Sequence, residues 1–224
     1  MASVVIDLDD TLVASARARR RARRILAGFG VDARCFAAAD RRWWRRYTAG
    51  GCTIDEMRLG RWLDCGASER LAGEADPLYR EAAGAVRVRT GAQRLLRALH
   101  EHGLRTVILT NGTTNPQRDK VEATRLAGLV DAVVVSAEVG WHKPDAGAFL
   151  TALEAVGGRP EDAAMVGDDL EYDVDGALAA GFARVIWLAR GRSHDDPRVT
   201  VVSRLDAVAA ALGLASWSPA PAAA

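Results

Sequence analysis

Residues 3–13 read SVVIDLDDTLV, and the fold turns on how this stretch is read. Residues 3–8 are almost continuously apolar and rich in β-branched side chains, the pattern of a strand buried on both faces of a parallel sheet. The run then breaks into acids at Asp7, Asp9 and Asp10. Ligands of an open parallel sheet collect outside the carboxyl ends of its strands, so acids at that edge are candidates for chemistry.

Working outward, the same kind of run recurs at 104–110 (LRTVILT), 131–136 (DAVVVS), 163–167 (AAMVG) and 183–188 (ARVIWL), with a shorter one near 198–202. Helical patterns with readable ends lie between them. Thr90 is expected to cap a helix with an Ala92, Leu95, Leu96, Leu99 stripe, stopped by Gly103. Asn115 with Pro116, Pro144, Tyr172 and Ser203 mark the starts of four more, with Gly128, Gly157, Gly181 and Gly213 at their ends. Strand and helix repeated in this way specify right-handed crossovers and a doubly wound parallel α/β sheet.

Residues 14–88 break the alternation, showing no strand pattern. ASARARRRARRILAGFG places Ala18, Ala22, Ile25 and Phe29 on one helical face and Arg17, Arg20, Arg21 and Arg24 on the opposite one. Thr53 and Glu56 have capping-box spacing, and Asp76-Pro77 reads as a further helix start. The expected organisation is a core of 1–13 and 89–213, an inserted all-helical module of three or four helices over 14–88, and a frayed tail over 214–224. Trp43, Trp44, Tyr47 and Trp62 of the insert are read as packing residues.

Charge follows the same division. The insert holds 16 arginines and nine acids, whereas the remainder holds 14 cations and 20 acids. The whole chain is nearly neutral, at +1, which gives no reason to expect a nucleic-acid or membrane-surface partner. The start lacks a signal-peptide pattern and no apolar run reaches spanning length, so a cytoplasmic protein is expected. Cys35, Cys52 and Cys65, odd in number and without CxxC spacing, are expected as thiols, not as a disulfide or zinc site.

Composition makes one residue conspicuous. Of 30 Lys and Arg residues only Lys120 and Lys143 are lysine, and Lys143 stands in GWHKPDAGAF (140–149), just before the helix that leads to the fourth strand. The other strand ends carry Thr110, Asn111 and Gly112, then Gly167, Asp168 and Asp169, with Asp173 one helical turn on. Several carboxylates at one sheet edge repel each other unless a cation sits among them, and hard oxygen donors suit Mg²⁺. Asp10 and Asp169 are read as turn or cap carboxylates, and Asp175 as a solvated helix residue.

These four segments, VVIDLDDTLV, VILTNG, GWHKPDAGAF and MVGDDLEYDVDGA, resemble the four ordered motifs of the haloacid dehalogenase (HAD) superfamily. The resemblance spans about residues 4–190, including an inserted helical cap of the first type. TNGTTNPQRDK, SAEVGWHKPD and the insert's RRWWRRYTAGGCTIDEMRLGRW are most similar to nucleotidase-type and acylneuraminate-phosphatase-type members. The resemblance implies a Rossmann-like core and a phosphatase that forms an aspartyl-phosphate. Asp7 would be the nucleophile, Asp9 the acid and then the base. Thr110, Asn111 and Lys143 would hold phosphate. Mg²⁺ would sit on the Asp7 and Asp168 carboxylates and the Asp9 backbone carbonyl, with Asp173 orienting Lys143 or a metal-bound water.

Asn111 and His142 flank the site as possible substrate contacts, and Arg17, Arg20 and Arg21 are candidates for attracting an anionic substrate. Dehalogenase members usually lack an acid at the position of Asp9, and phosphonate-cleaving members need a cap lysine, which 14–88 does not contain. A phosphomutase, or a non-catalytic module binding a phosphorylated ligand or protein, stays open as an alternative. The expected partner is a small phosphorylated metabolite, and the expected assembly a monomer or homodimer.

Overall fold

A computed structural model describes residues 1–214; the tail beyond, at 215–224, lies outside the described residues. The strands, in chain order, are β1 (Ser3–Ile6), β2 (Val13–Ala14), β3 (Arg87–Val88), β4 (Arg105–Thr110), β5 (Ala132–Val135), β6 (Ala163–Gly167), β7 (Arg184–Leu188) and β8 (Val199–Val202). The helices are α1 (Ala16–Gly28), α2 (Ala33–Thr48), α3 (Ile54–Leu63), α4 (Glu69–Gly84), α5 (Ala92–Glu101), α6 (Thr114–Ala123), α7 (Ser136–Val139), α8 (Ala146–Glu154), α9 (Gly176–Ala179) and α10 (Val208–Ala211). A π-helical turn, Leu170–Asp175, leads into α9.

Six strands form one parallel sheet in the order β5-β4-β1-β6-β7-β8. The chain builds outward from β1 through β4 to β5, then returns to the other side of β1 for β6. That return is the topological switch point, where the carboxyl ends of such sheets open to ligands. Each apolar run found in the sequence is one of these strands. On one sheet face Val5, Val107, Leu109, Met165 and Val185 join Phe149 and Leu153 of α8 and Phe182 in a single buried cluster. Pleat alternation turns Val4, Ile6 and Ile108, also fully buried, to the opposite face. There α5 packs on β4 with Leu95, Leu96 and Leu99 buried.

The chain divides into two compact units, one of Met1–Ala14 with the chain from Arg87 onward, the other Ser15–Val86. The two crossings between them, β2 and β3, pair antiparallel, Val13 with Val88 and Ala14 with Arg87. Strands of two residues carry no periodicity, so the sequence showed no strand at either crossing.

The second unit is four helices, α1 to α4. Leu26, Val31, Phe36, Trp62, Ala72 and Ala75 form its core, with Phe36 and Trp62 edge-on at 4.7 Å between ring centroids. On α1 the buried residues are Ala18, Ala22 and Leu26, while Arg17, Arg20 and Arg21 are exposed. The Thr53–Glu56 capping box is present at α3.

Asp76-Pro77, in contrast, starts nothing. Ser68 caps α4, accepting from the Leu71 N–H at 3.2 Å, and the helix runs on through Pro77. Asp76 is a buried anchor, accepting from Arg61 (2.6 Å), Trp62 Nε1 (2.9 Å) and Arg80 (2.8 Å). A second correction concerns Cys35 and Cys65, which are disulfide-bonded across α2 and the end of α3, leaving Cys52 free. Their spacing of 30 residues is invisible as a motif because helix packing alone brings them together.

Other helix ends shift from expectation. Gly91, at φ 90°, takes the cap position of α5 that Thr90 was expected to fill. Helix α6 begins at Thr114, one residue before Asn115, with Pro116 in its first turn, where a missing N–H costs nothing. Pro144 precedes α8 on a cis peptide bond, and Asp145 caps that helix by accepting from Gly147 N–H at 2.7 Å. Arg204, not Ser203, precedes the last helical segment.

Candidate active site

Strand β1 ends at Ile6, and Asp7 is still anchored to the sheet through its N–H to the Val166 carbonyl, 2.9 Å away. The chain then curls back, with the N–H groups of Leu12 and Val13 both donating to the Leu8 carbonyl. Asp10 sits in the curl at φ 61°, a left-handed conformation that Asp tolerates better than most residues. Asp7 and Asp9 therefore lie past the strand, where pleat alternation no longer sets their directions. Their partners differ.

Asp7 is 6% exposed and faces Lys143, which is 2% exposed. The Lys143 ammonium donates to Asp7 Oδ1 at 2.7 Å and to Asp173 Oδ1 at 2.6 Å. The other oxygen of Asp173 accepts the backbone N–H groups of Asp168 and Asp169, each at 3.1 Å. Asp173 can tuck under that loop because residue 167 is glycine: a Cβ there would lie 2.3 Å from the Asp173 carboxylate. Asn111 fixes the backbone of Lys143, donating to its carbonyl (2.8 Å) and accepting its N–H (2.9 Å).

Asp9 is gripped from α6. Lys120 Nζ donates to both of its oxygens, at 2.9 and 2.8 Å, and Gln117 Nε2 donates to Oδ2 at 2.9 Å. Gln117, itself buried, also donates to Thr110 Oγ1 and to the Asn111 carbonyl. Its carboxamide thus ties the end of β4 to the turn after β1. Ser136 Oγ accepts the Gly112 N–H at 3.0 Å and so holds the loop after β4. Asp168 is braced by Thr11 Oγ1 (3.3 Å) and, at its carbonyl, by Trp187 Nε1 (3.0 Å).

Electrostatically the site is short of positive charge. Burial raises the proton affinity of Asp7, and the carboxylates of Asp173 and Asp168 add to this while Lys143 opposes it. Burial, then Asp173 and Asp10, push Asp168 up to about 7. Burial works to lower Lys143, but Asp173 and Asp7 outweigh it and raise it above the ordinary lysine value. One ammonium therefore serves a cluster in which carboxylate oxygens of Asp7, Asp168 and Asp173 lie within 4.8 Å of one another. Both oxygens of Asp173 are already engaged. The donors that fit a hard divalent cation are accordingly the carboxylates of Asp7 and Asp168.

A family model for haloacid dehalogenase-like hydrolases matches residues 1–181. The chain belongs to the haloacid dehalogenase-like hydrolases. Among curated members of this family it is 39% identical over 135 residues to a phosphoserine phosphatase of Thermus thermophilus, covering 60% of this chain. The match spans about half of that relative, 53% of its length. Similarity to a ribulose-1,5-bisphosphate 5-phosphatase of Halopiger xanaduensis runs further, 33% over 202 residues, or 83% of this chain and 84% of that one. The human N-acylneuraminate-9-phosphatase is 40% identical over 85 residues, 38% of this chain and 34% of that protein. In fold, a magnesium-bound HAD hydrolase of Bacillus subtilis superposes with a TM-score of 0.75 at 21% identity, over 94% of this chain and 98% of that one.

Set against this HAD core, the sequence-derived residues separate clearly. Asp7, Lys143, Asp168 and Asp173 converge as one cluster, and Thr110 reaches Asp9 through Gln117. Asp173 contacts the Lys143 ammonium directly. The Asn111 carboxamide is spent on the Lys143 backbone, so its side chain acts as a brace. His142 is half-buried, and burial holds its imidazole below the usual histidine value. Gln117, Lys120, Ser136 and Trp187 were missed by the sequence reading. For Lys120 a signal existed, since it is the second of only two lysines in the chain.

Proposed function

We propose that this protein is a Mg²⁺-dependent phosphomonoester hydrolase acting on a small phosphorylated metabolite. The observation that carries the reading is the buried Asp7 carboxylate held by Lys143 at the switch point, with Asp168 beside it. A carboxylate kept from water, aligned by an ammonium and anchored to a central strand, is equipped as a nucleophile. The Asp7 oxygen attacks phosphorus as the bond to the leaving oxygen breaks, and that oxygen takes a proton from Asp9. Asp9 then accepts a proton from water, whose oxygen attacks the aspartyl-phosphate and returns the bonding pair to Asp7. Thr110 Oγ1 accepts from Gln117 and keeps its own proton to donate to a phosphoryl oxygen.

Mg²⁺, held by the Asp7 and Asp168 carboxylates and the Asp9 backbone carbonyl, would offset the charge that the phosphoryl group brings. Lys143 supplies the remaining compensation from the protein itself. The relatives named for phosphoserine, ribulose bisphosphate and N-acylneuraminate phosphate act on small phosphate esters, which supports the substrate class. Among the described residues no helix is long and apolar enough to cross a membrane. That fits a cytoplasmic phosphatase, while the Cys35–Cys65 bond pulls the other way, because disulfides persist mainly in oxidising compartments.

The test is phosphate release from 4-nitrophenyl phosphate with and without Mg²⁺. Wild type is expected to release phosphate only with the metal, and Asp7→Asn to be inactive. Equal rates for the two proteins would end the hydrolase reading. A panel of phosphoserine, sugar phosphates and nucleoside monophosphates then ranks substrates.

A further inference from the structure

The chain uses arginine for nearly every cation, yet its two lysines both contact carboxylates of the DLDD turn: Lys143 reaches Asp7 and Lys120 reaches Asp9. We infer that Lys120, on α6, is a positioning residue that holds Asp9 for the water-attack half of the reaction. The inference rests on the hydrolase reading above.

Three observations carry it. First, Asp9 lies in a curl past the end of β1, next to a residue at φ 61°, so no strand ladder fixes the direction of its carboxylate. Its support comes from α6 instead, where Gln117 and Lys120, three residues apart, share a helical face. Secondly, the contact is two-pronged: one Nζ reaches both oxygens, at 2.9 and 2.8 Å, and the Lys120 side chain is only 14% exposed. Thirdly, these contacts and that of Gln117 are all donors to Asp9. The direction of the Asp9 carboxylate is thus fixed at both oxygens.

With 4-nitrophenyl phosphate the leaving nitrophenolate needs little help from an acid, so the half-reaction that depends on where Asp9 points is the second. There a water O–H gives its proton to Asp9, the water oxygen bonds to phosphorus, and the phosphorus–oxygen bond to Asp7 breaks with its electron pair returning to Asp7. Losing the Lys120 ammonium leaves Asp9 held at Oδ2 alone, by Gln117, on an irregular turn, so that step slows most and the aspartyl-phosphate accumulates. Arginine could replace the charge but not a single nitrogen reaching both oxygens from this distance along α6, so Lys120→Arg should recover only part of the loss.

The experiment is rapid-mixing hydrolysis of 4-nitrophenyl phosphate by wild type, Lys120→Met and Lys120→Arg, with circular dichroism to compare folds. In Lys120→Met the steady-state rate should fall about tenfold or more beyond any change in the first-turnover release of nitrophenolate, giving a burst approaching one nitrophenolate per active site. Lys120→Arg should lie between. Equal slowing of the first and later turnovers, or no slowing, overturns the inference while leaving the hydrolase reading intact. A wild type that releases no phosphate overturns both.

Discussion

At the scale of single residues, the site is a problem of charge. Asp7, Asp168 and Asp173 are crowded together, and Lys143 answers two of them from one nitrogen. A guanidinium is planar and broad, and its fork suits one carboxylate bidentately better than two carboxylates converging on a point. Lys143→Arg is therefore expected to lower kcat by about 100-fold or more, in the range lost when a preorganised charge is removed, while circular dichroism stays native. Near-normal turnover in that variant would show that the ammonium has no special role. Most of this cluster was legible in the chain, because Asp7 and Asp168 follow recognisable strands, Asp173 lies one helical turn beyond, and Lys143 stands just before a helix start. Gln117 and Asn111 were not, since an amide's role depends on which of its neighbours need donors, and only packing reveals them.

At the scale of elements, α6 shows what a sequence pattern conceals. Its apolar content is low and its start was placed two residues late, because Asn115-Pro116 looks like a cap followed by a first helical residue. What matters is the face carrying Gln117 and Lys120 toward Asp9, a polar stripe indistinguishable in the sequence from a solvated surface. Helix α1 presents the opposite case, a visible arginine face with Arg17, Arg20 and Arg21 exposed. If that face draws anionic substrates by its long-range field, replacing all three with Gln raises KM two- to tenfold at low salt, on the order of a steering effect, with kcat kept. An unchanged KM would mark the face as merely solvated.

In α4, burial works to raise the proton affinity of Asp76, but Arg61, Trp62 and Arg80 outweigh it and hold the carboxyl below its ordinary value. A depressed carboxyl contributes stability above its unfolded value, about 4, and loses it as pH falls through the folded value. The stability gap between wild type and Asp76→Asn, measured by urea denaturation, should accordingly be full near neutral pH and close on acidification below about pH 4. A gap that stays constant into acid would show that the ion pairs contribute nothing.

For the whole molecule, the cation proposed at Asp7 and Asp168 would stabilise the folded chain by mass action. At Mg²⁺ about 100 times its Kd the gain is about 2.7 kcal/mol, which for a chain of this length raises Tm by roughly 5–10 °C. Differential scanning calorimetry should show the rise in wild type, its reversal by a chelator, and its absence in Asp168→Asn. An equal rise in both proteins would place the metal elsewhere.

The sequence by itself determined the six strands of the parallel sheet, their crossovers, the helical insert, the acids past the strand ends and the lysine before α8. These depend on local periodicity and on where a run of apolar residues stops, and neighbouring residues carry that information. The tertiary structure alone decided that Asp76 is an anchor and no cap, that Cys35 meets Cys65, that Asn111 braces Lys143, and that Lys120 grips Asp9. Each of these joins atoms that are distant in the chain or ambiguous in it. The energy that selects such pairings, burial set against the cost of leaving a charge or hydrogen-bonding group unsatisfied, exists only once the elements have packed.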